Sequence, residues 1–302
     1  MTAIPDRAHL LTEQPNPRSG DLHRLEVPAL VALFNRENRA AFAALEAAEA
    51  DLTRFIQALE PGFLRGGRLV YLGAGTSGRL AVLDASEVPP TFQTPSDRII
   101  GLIAGGDGSL RTSSEGKEDD PLGAIPALQA LHLGADDAVL GIAAGGTTPY
   151  VLGALLWAKG LPHPPRTGLL SCSPVAVPPA CDHLVVIASG PEVITGSTRL
   201  KAGTATKLAL NTISTALMVR LGKVYGNLMV DVRASNAKLR DRAARIISTL
   251  TEATRDEAFV LLDATGGQVK PAVVMRRLHV SADQAQRLLT AADGHLGRVL
   301  DG

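Results

Sequence analysis

The chain has 302 residues, enough to bury a large core in one domain or two, and its 30 lysines and arginines balance 30 aspartates and glutamates. That balance leaves no overall basic excess for nucleic acid or for an acidic membrane surface. Hydrophobic residues make up 45% and aromatic residues only 3%, so the core has to come from Ala, Leu, Val and Ile. The start of the chain carries Asp6, Arg7 and His9 but no apolar signal core, and no apolar run approaches bilayer length. A soluble, cytoplasmic protein is expected. Cys172 and Cys181 flank a proline-rich loop, fit no metal-ligand spacing, and read as buried or idle thiols.

In chain order, residues 1–20 are rich in Pro, Asn, Thr and Arg. Pro5, Pro15 and Pro17 break any helix there. The stretch TEQPNPRS reads as a tail, with an arm packed on a partner as the alternative. Pro28 to Ala58 reads as two helical stretches, the second (Ala40 to Leu59) stopping before Pro61 and Gly62. From Arg68 the pattern becomes strand, loop, helix, repeated. Five short apolar strands are expected at Leu69 to Leu72, Ile99 to Ala104, Ala138 to Ala143, Gly168 to Cys172 and Leu184 to Ala188. Each is apolar throughout rather than alternating, as in strands buried on both faces. The fold class is therefore α/β, a doubly wound parallel five-stranded sheet. Arg199 to Lys223 reads as a long helix with Leu210, Ile213, Leu217 and Leu221 in one core stripe. Past Asp231 the strand signal stops. Capping boxes at Thr254/Glu257 and Ser281/Gln284, with Pro271 in a first turn and Gly266, Gly267 and Gly294 at helix ends, predict a small helical bundle. The expected division is an arm with helices over 1–60, a sheet domain over 61–235 and a helical domain over 236–302.

Chemistry should gather at the loops that follow the strands, because ligands in such sheets bind beyond the carboxyl ends of the strands. The first loop, GAGTSG, supplies close backbone approach at Gly75 and donor hydroxyls at Thr76 and Ser77, ahead of helical character from Arg79 to Ala85. Gly73, Gly75 and Gly78 also satisfy the dinucleotide pattern, but the next strand ends later than the acidic partner of that pattern should fall. The hydroxyl pair favours a phosphomonoester, and a strand-to-helix turn without a ligand is the plain alternative. Glu87 follows, read as lying on a turn closed by Pro89 and Pro90. In the second loop, Gly145, Thr147 and Thr148 stand directly before a helix, where simple N-capping by a threonine is the plain reading and is compatible with a ligand contact at the same time. The third, GPEVITGSTRLKAGT, places Glu192, Ser197, Arg199 and Lys201 ahead of the long helix. SEGKEDD, with Glu115 and Glu118, can be a solvated charge run or carry an acid. The seven histidines are scattered, and no metal site is expected.

RLVYLGAGTSGRLAVLDASEVPPTF, GLIAGG, SEGKEDD, AAGGTTPYV, GPEVITGSTRLKAGTATKLALNTIST and GKVYGNLMVDVRASNAKL together resemble the N-acetylmuramic acid 6-phosphate etherase family. That family is a branch of the sugar isomerase (SIS) fold, and the GPE…GS-x-R-x-K-x-G-T signature is shared with glucokinase regulatory proteins. The resemblance implies cleavage of a lactyl ether to N-acetylglucosamine 6-phosphate and D-lactate in cell-wall sugar recycling. It also implies a homodimer, no cofactor, a flavodoxin-like sheet and a C-terminal bundle like a ubiquitin-associated domain. Glu87 matches the Glu of DASE-x-PP, which protonates the departing lactate. Glu118 matches the second Glu of EG-x-ED, which handles the proton beside the aldehyde and activates water. Partial burial should raise the proton affinity of Glu87. The sequence departs from the family in two places. Gly145 and Thr147 replace a Ser and an Arg of the usual AASGRTPY, which removes a hydroxyl and a charge near the ligand. Gln14 and Pro15 fill the variable pair of TE-x-x-NP. The rival readings are a non-catalytic sugar-phosphate sensor and an aldose–ketose phosphosugar isomerase on the same fold.

Overall fold

The computed structural model describes residues 6–232 and 236–302. Pro5 and the expected domain boundary at residue 235 lie outside them. Two helices come first, α1 (Val27–Ala47) and α2 (Glu49–Leu64). Then follow β1 (Leu69–Gly73), α3 (Gly75–Phe92), β2 (Ile99–Ile103), α4 (Ile125–Ala130), β3 (Ala138–Ile142) and α5 (Pro149–Lys159). β4 (Arg166–Ser171), β5 (His183–Val186) and α6 (Lys201–Arg220) complete the series. All five strands pair in parallel in the order β2-β1-β3-β4-β5. The sheet is buried on both faces at its centre, where β1 and β3 show no half-exposed residue. Apolar runs without alternation produce this pattern, since neither face of the strand meets water. Val70, Leu72, Val139 and Leu169 pack with Val151 and Leu155 of α5 in one core. Both cysteines are buried and unpaired with each other.

The chain divides into two compact units, one of residues 1–86 and 96–214, the other of Glu87–Pro95 with Thr215–Gly302. The division falls inside α3 and α6. The second unit holds a hairpin of β6 (Val224–Tyr225) and β7 (Leu228–Met229), then α7 (Ala237–Thr251), α8 (Arg255–Ala264), α9 (Val269–Leu278), α10 (Ala282–Ala291) and α11 (Leu296–Leu300). Both capping boxes form, with Thr254 and Ser281 each accepting from the third helical amide. Ala244, Ile247, Leu262, Val273 and Leu289 make the bundle core. The hairpin escapes a reading by strand length. Its signal is Gly226, at a φ of 57° in the two-residue turn.

Three expectations need correction. The segment TEQPNP is no loose tail: Leu10, Thr12 and Asn16 are buried against their own chain. α2 runs through Pro61 to Leu64, and α3 begins at Gly75 and runs through Pro89 and Pro90 to Phe92. Proline removes one amide and crowds the preceding turn, but near a helix end the bonding resumes beyond it. Arg65 donates to the Pro61 carbonyl at 3.3 Å, and Gln93 to that of Pro89 at 2.9 Å. Glu87 therefore stands on a helix, not on a turn.

Candidate active site

The strand order reverses between β1 and β3, so the loops after those two strands flank the crevice where such sheets take ligands. After β1 the chain turns in a single step. Gly75 takes a φ of 52° and opens α3, which places Thr76 and Ser77 in the first helical turn among amides without intrahelical acceptors. A β-carbon on Gly78 would lie 2.6 Å from both the Gly73 carbonyl oxygen and Ile103 Cγ1. Helix and sheet touch there with no room for a side chain, so two of the three glycines serve packing rather than a pyrophosphate.

Arg79, which the sequence did not single out, ties this helix start to the loop after β2. Its guanidinium donates to the carbonyls of Ser109 (2.7 Å) and Leu110 (3.1 Å). Ser109 and Ser114 share a 2.5 Å hydroxyl contact, and Ser114 donates to the Ala104 carbonyl. At the far end, the Tyr150 amide in the first turn of α5 donates to the Glu118 carbonyl at 3.0 Å. Three anchors therefore hold the backbone that presents Glu118. Its side chain is exposed and lines a cavity of about 60 Å³ together with Gly75, Arg79, Ser109, Ser113 and Ser114. Carboxylate, guanidinium, hydroxyls and a helix start thus face one space, which suits proton transfer on an anionic ligand. The run Glu115–Lys117 is a single 3-10 turn.

In the second loop, Thr148 is the N-cap of α5 but its side chain makes no capping bond. The capping alternative drops away, and the hydroxyl stays available. Gly145 and Thr147 are half-buried. A β-carbon at Gly145 would stand 3.2 Å from Leu10 Cδ1, so the family's serine at this position would need the arm to yield slightly. The arm also reaches further loops. The Gly196 amide donates to the Thr12 carbonyl at 3.2 Å, and Ser173 hydrogen-bonds Thr12.

The third loop differs most from expectation. Glu192 is fully buried and accepts from the amides of Lys201 (3.0 Å) and Ala202 (2.8 Å), capping α6. Burial pushes its carboxyl up, against the pull of those two amides. Lys201 Nζ lies 2.9 Å from Glu37 Oε2 of α1, with 1% and 2% of the two side chains exposed. Glu37 also accepts from Asn16 (2.7 Å) and from Arg18 (2.5 and 3.1 Å). The Arg18 hydrogen bond, then those of Lys201 and Asn16, bring Glu37 down to about 2 against the cost of burial. Glu192 and Lys201, expected on the substrate, thus spend these polar atoms inside the protein. Ser197 is half-buried, and Gly203 approaches the first loop, where its β-carbon would lie 3.3 Å from the Thr76 methyl. Nothing local in the sequence marks a helix glutamate as the partner of a lysine so far along the chain, or of the arm's Asn16 and Arg18.

Glu87 is exposed, so the burial expected of it is absent, and it belongs to the second compact unit. One turn before it, Asp84 is buried and accepts from Asn211 (3.0 Å) and Ser214 (3.2 Å) of α6.

Known proteins share this sequence closely. Residues 40–159 match the family described as the glucokinase regulatory protein N-terminal SIS domain. A protein of Gloeobacter violaceus named N-acetylmuramic acid 6-phosphate etherase is 51% identical over 299 residues, covering 99% of this chain and 97% of its own. Proteins of the same name from Deinococcus radiodurans and Synechocystis sp. are 49% and 47% identical, covering 96% and 100% of this chain and 94% and 98% of theirs. With such identity along its full length, the chain belongs to the N-acetylmuramic acid 6-phosphate etherase family.

Proposed function

We propose that the protein is a carbon–oxygen lyase that cleaves the D-lactyl ether of N-acetylmuramic acid 6-phosphate, giving N-acetylglucosamine 6-phosphate and D-lactate. The observation that carries this reading is the cavity where Glu118 faces the start of α3, in a chain about half identical to the etherases along its length. The phosphate would sit on the free amides and hydroxyls at Gly75, Thr76 and Ser77, with Thr148 and Ser197 as further donors. In the open-chain sugar, Glu118 removes the proton from the carbon beside the aldehyde. The ether oxygen one carbon further leaves with a proton from Glu87, and a carbon–carbon double bond forms. Glu118 then loses that proton to solvent, takes another from the water that adds to the double bond and returns it to the carbon beside the aldehyde, while Glu87 regains its proton from solvent. A positioned base and a positioned acid each supply on the order of 10² to 10⁴ in rate, and no step calls for a redox group.

The test pairs D-lactate release with deuterium uptake into recovered substrate in heavy water. Glu118→Gln should abolish both signals. Glu87→Gln should abolish lactate release while part of the exchange survives, because exchange needs only the base. Full lactate release by either variant removes that residue from the chemistry, and the reverse pattern exchanges their roles. We further propose a two-fold homodimer, the commonest closed assembly. α1 leaves Val27 and Val31 exposed one turn apart, and Phe42 exposed further along. Light scattering at micromolar protein should give a dimer mass, and a monomer mass would rule it out. A cytoplasmic setting is consistent with the observation that, among the described residues, no helix is long and apolar enough to cross a membrane. The C-terminal likeness to a ubiquitin-associated bundle stands as a proposal on the same footing.

A further inference from the structure

The second compact unit contains a cavity of about 650 Å³ that none of the sugar-phosphate loops enters. Its floor is set by two lysines. Lys270, more than nine-tenths buried, donates to Asp231 Oδ2 and to the Gly294 carbonyl, each at 2.7 Å. Lys223 Nζ reaches the same Asp231 oxygen at 3.1 Å. An ammonium group has three N–H donors, so the pair offers six, and these contacts occupy three. The remaining donors have no protein acceptor among the described residues. One carboxylate serves two ammonium groups, which leaves a local excess of one positive charge. The other acid on the lining, Asp293, is exposed and engaged by Arg298 at 3.0 Å. A desolvated ammonium with unfilled donors calls for an acceptor, and charge balance calls for an anion.

The rest of the lining limits what that anion is attached to. Val230, Val232, Val269 and Leu289 form an apolar wall. Gln93, Gln268 and Gln286 stand exposed on the lining, with amide side chains that make no protein hydrogen bond among the described residues. Side-chain amides offer donor and acceptor together, which matches hydroxyl groups. Among the described residues no aromatic ring lines the cavity, so a nucleobase would find no stacking surface there. The volume lies within the roughly 300 to 1,000 Å³ of small-molecule sites.

We propose that this cavity is a binding site for a small anionic sugar derivative. Its phosphate or carboxylate would be held by Lys223 and Lys270, and its hydroxyls by the glutamine amides. The site goes beyond the proposed catalysis and does not depend on it. The experiment is equilibrium dialysis of the full chain against radiolabelled glucose 6-phosphate and, separately, gluconate, which distinguishes the two anion sources. Gln286→Trp fills the cavity from an exposed helix position, and Lys223→Gln removes one charge. For whichever probe binds, Gln286→Trp should remove one equivalent per chain, and Lys223→Gln should weaken that equivalent about tenfold or more. Ser77→Ala, which acts on the first loop, should leave the Gln286-dependent equivalent intact. Melting curves of both cavity variants confirm that they remain folded. Binding unchanged in both folded variants, or no Gln286-dependent binding of either probe up to about 10 mM, would overturn the proposal. Absence of lactate release in the separate assay would bear only on the catalytic reading.

Discussion

Replacing Lys201 with Met separates a structural role from a substrate-binding one. The methionine keeps most of the volume and removes the ammonium that faces Glu37 at 2.9 Å, with both side chains almost fully buried. Breaking a buried pair from one side costs about 3 to 5 kcal/mol, because a charge is left behind without its partner. Here Arg18 and Asn16 still serve Glu37, so a loss of about 2 to 3 kcal/mol is expected. The pH dependence follows from Glu37, held at about 2 against an ordinary 4.5. A carboxyl lowered on folding stabilises the protein above its unfolded pKa, and that stabilisation fades as pH falls from 4.5 toward 2, on the order of 3 kcal/mol in all. The gap between wild type and variant should therefore be full at about pH 7 and shrink through that acid window. Urea unfolding across pH, alongside steady-state lactate kinetics, gives both readouts. Glu37→Met with Lys201→Met should be less destabilised than Lys201→Met alone, since no charge is left behind. A KM raised tenfold or more with stability unchanged would refute the reasoning and return Lys201 to the substrate.

Two further substitutions address the cradle. Ser77→Ala should weaken binding of N-acetylmuramic acid 6-phosphate by roughly 1 to 3 kcal/mol in calorimetry, the scale of a hydrogen bond to a charged group, and unchanged affinity would remove the first loop from the site. Arg79→Gln should lower kcat more than it raises KM, because it frees the carbonyls of Ser109 and Leu110 and loosens the backbone that presents Glu118; Arg79→Lys, which lacks the planar fork, should fail to restore it. An equal loss in KM alone would make Arg79 a ligand contact rather than a positioning residue.

The sheet was legible because its signal is local and repeated. Five short apolar runs, separated by glycine-rich loops, leave few arrangements other than buried parallel strands, and each strand fell within two residues of its expected start. The bundle was legible through two capping boxes, whose donors and acceptors lie three residues apart. Pro61, Pro89 and Pro90 lie in the last turns of α2 and α3, where proline does not break a helix as it does in an interior. There the missing amide costs one bond and the following residues recover theirs. The buried arm could not be read at all. Thr12 and Asn16 meet Ser173 and Glu37 only after the sheet has brought distant segments together.

The same distinction explains the third loop. A dense mixture of charge, hydroxyl and glycine before a helix announces that polar groups are needed there, but not whether a ligand or the protein satisfies them. Glu192 stands fully buried beside two orphan amides of α6, and Lys201 stands beside Glu37. With Asn16 and Arg18, these charges fix the start of α6 to α1 and to the arm. That fixed start carries Gly203 to the Thr76 methyl, so the buried pair acts on the cradle from behind, by holding α6 against the first turn of α3. Glu192 and Lys201 are spent on position, and on the proposed reading contact with the anion falls to backbone amides and small hydroxyls. A phosphate held that way needs a rigid frame more than it needs a cation, because amides aimed in advance lose no orientation when the ligand arrives.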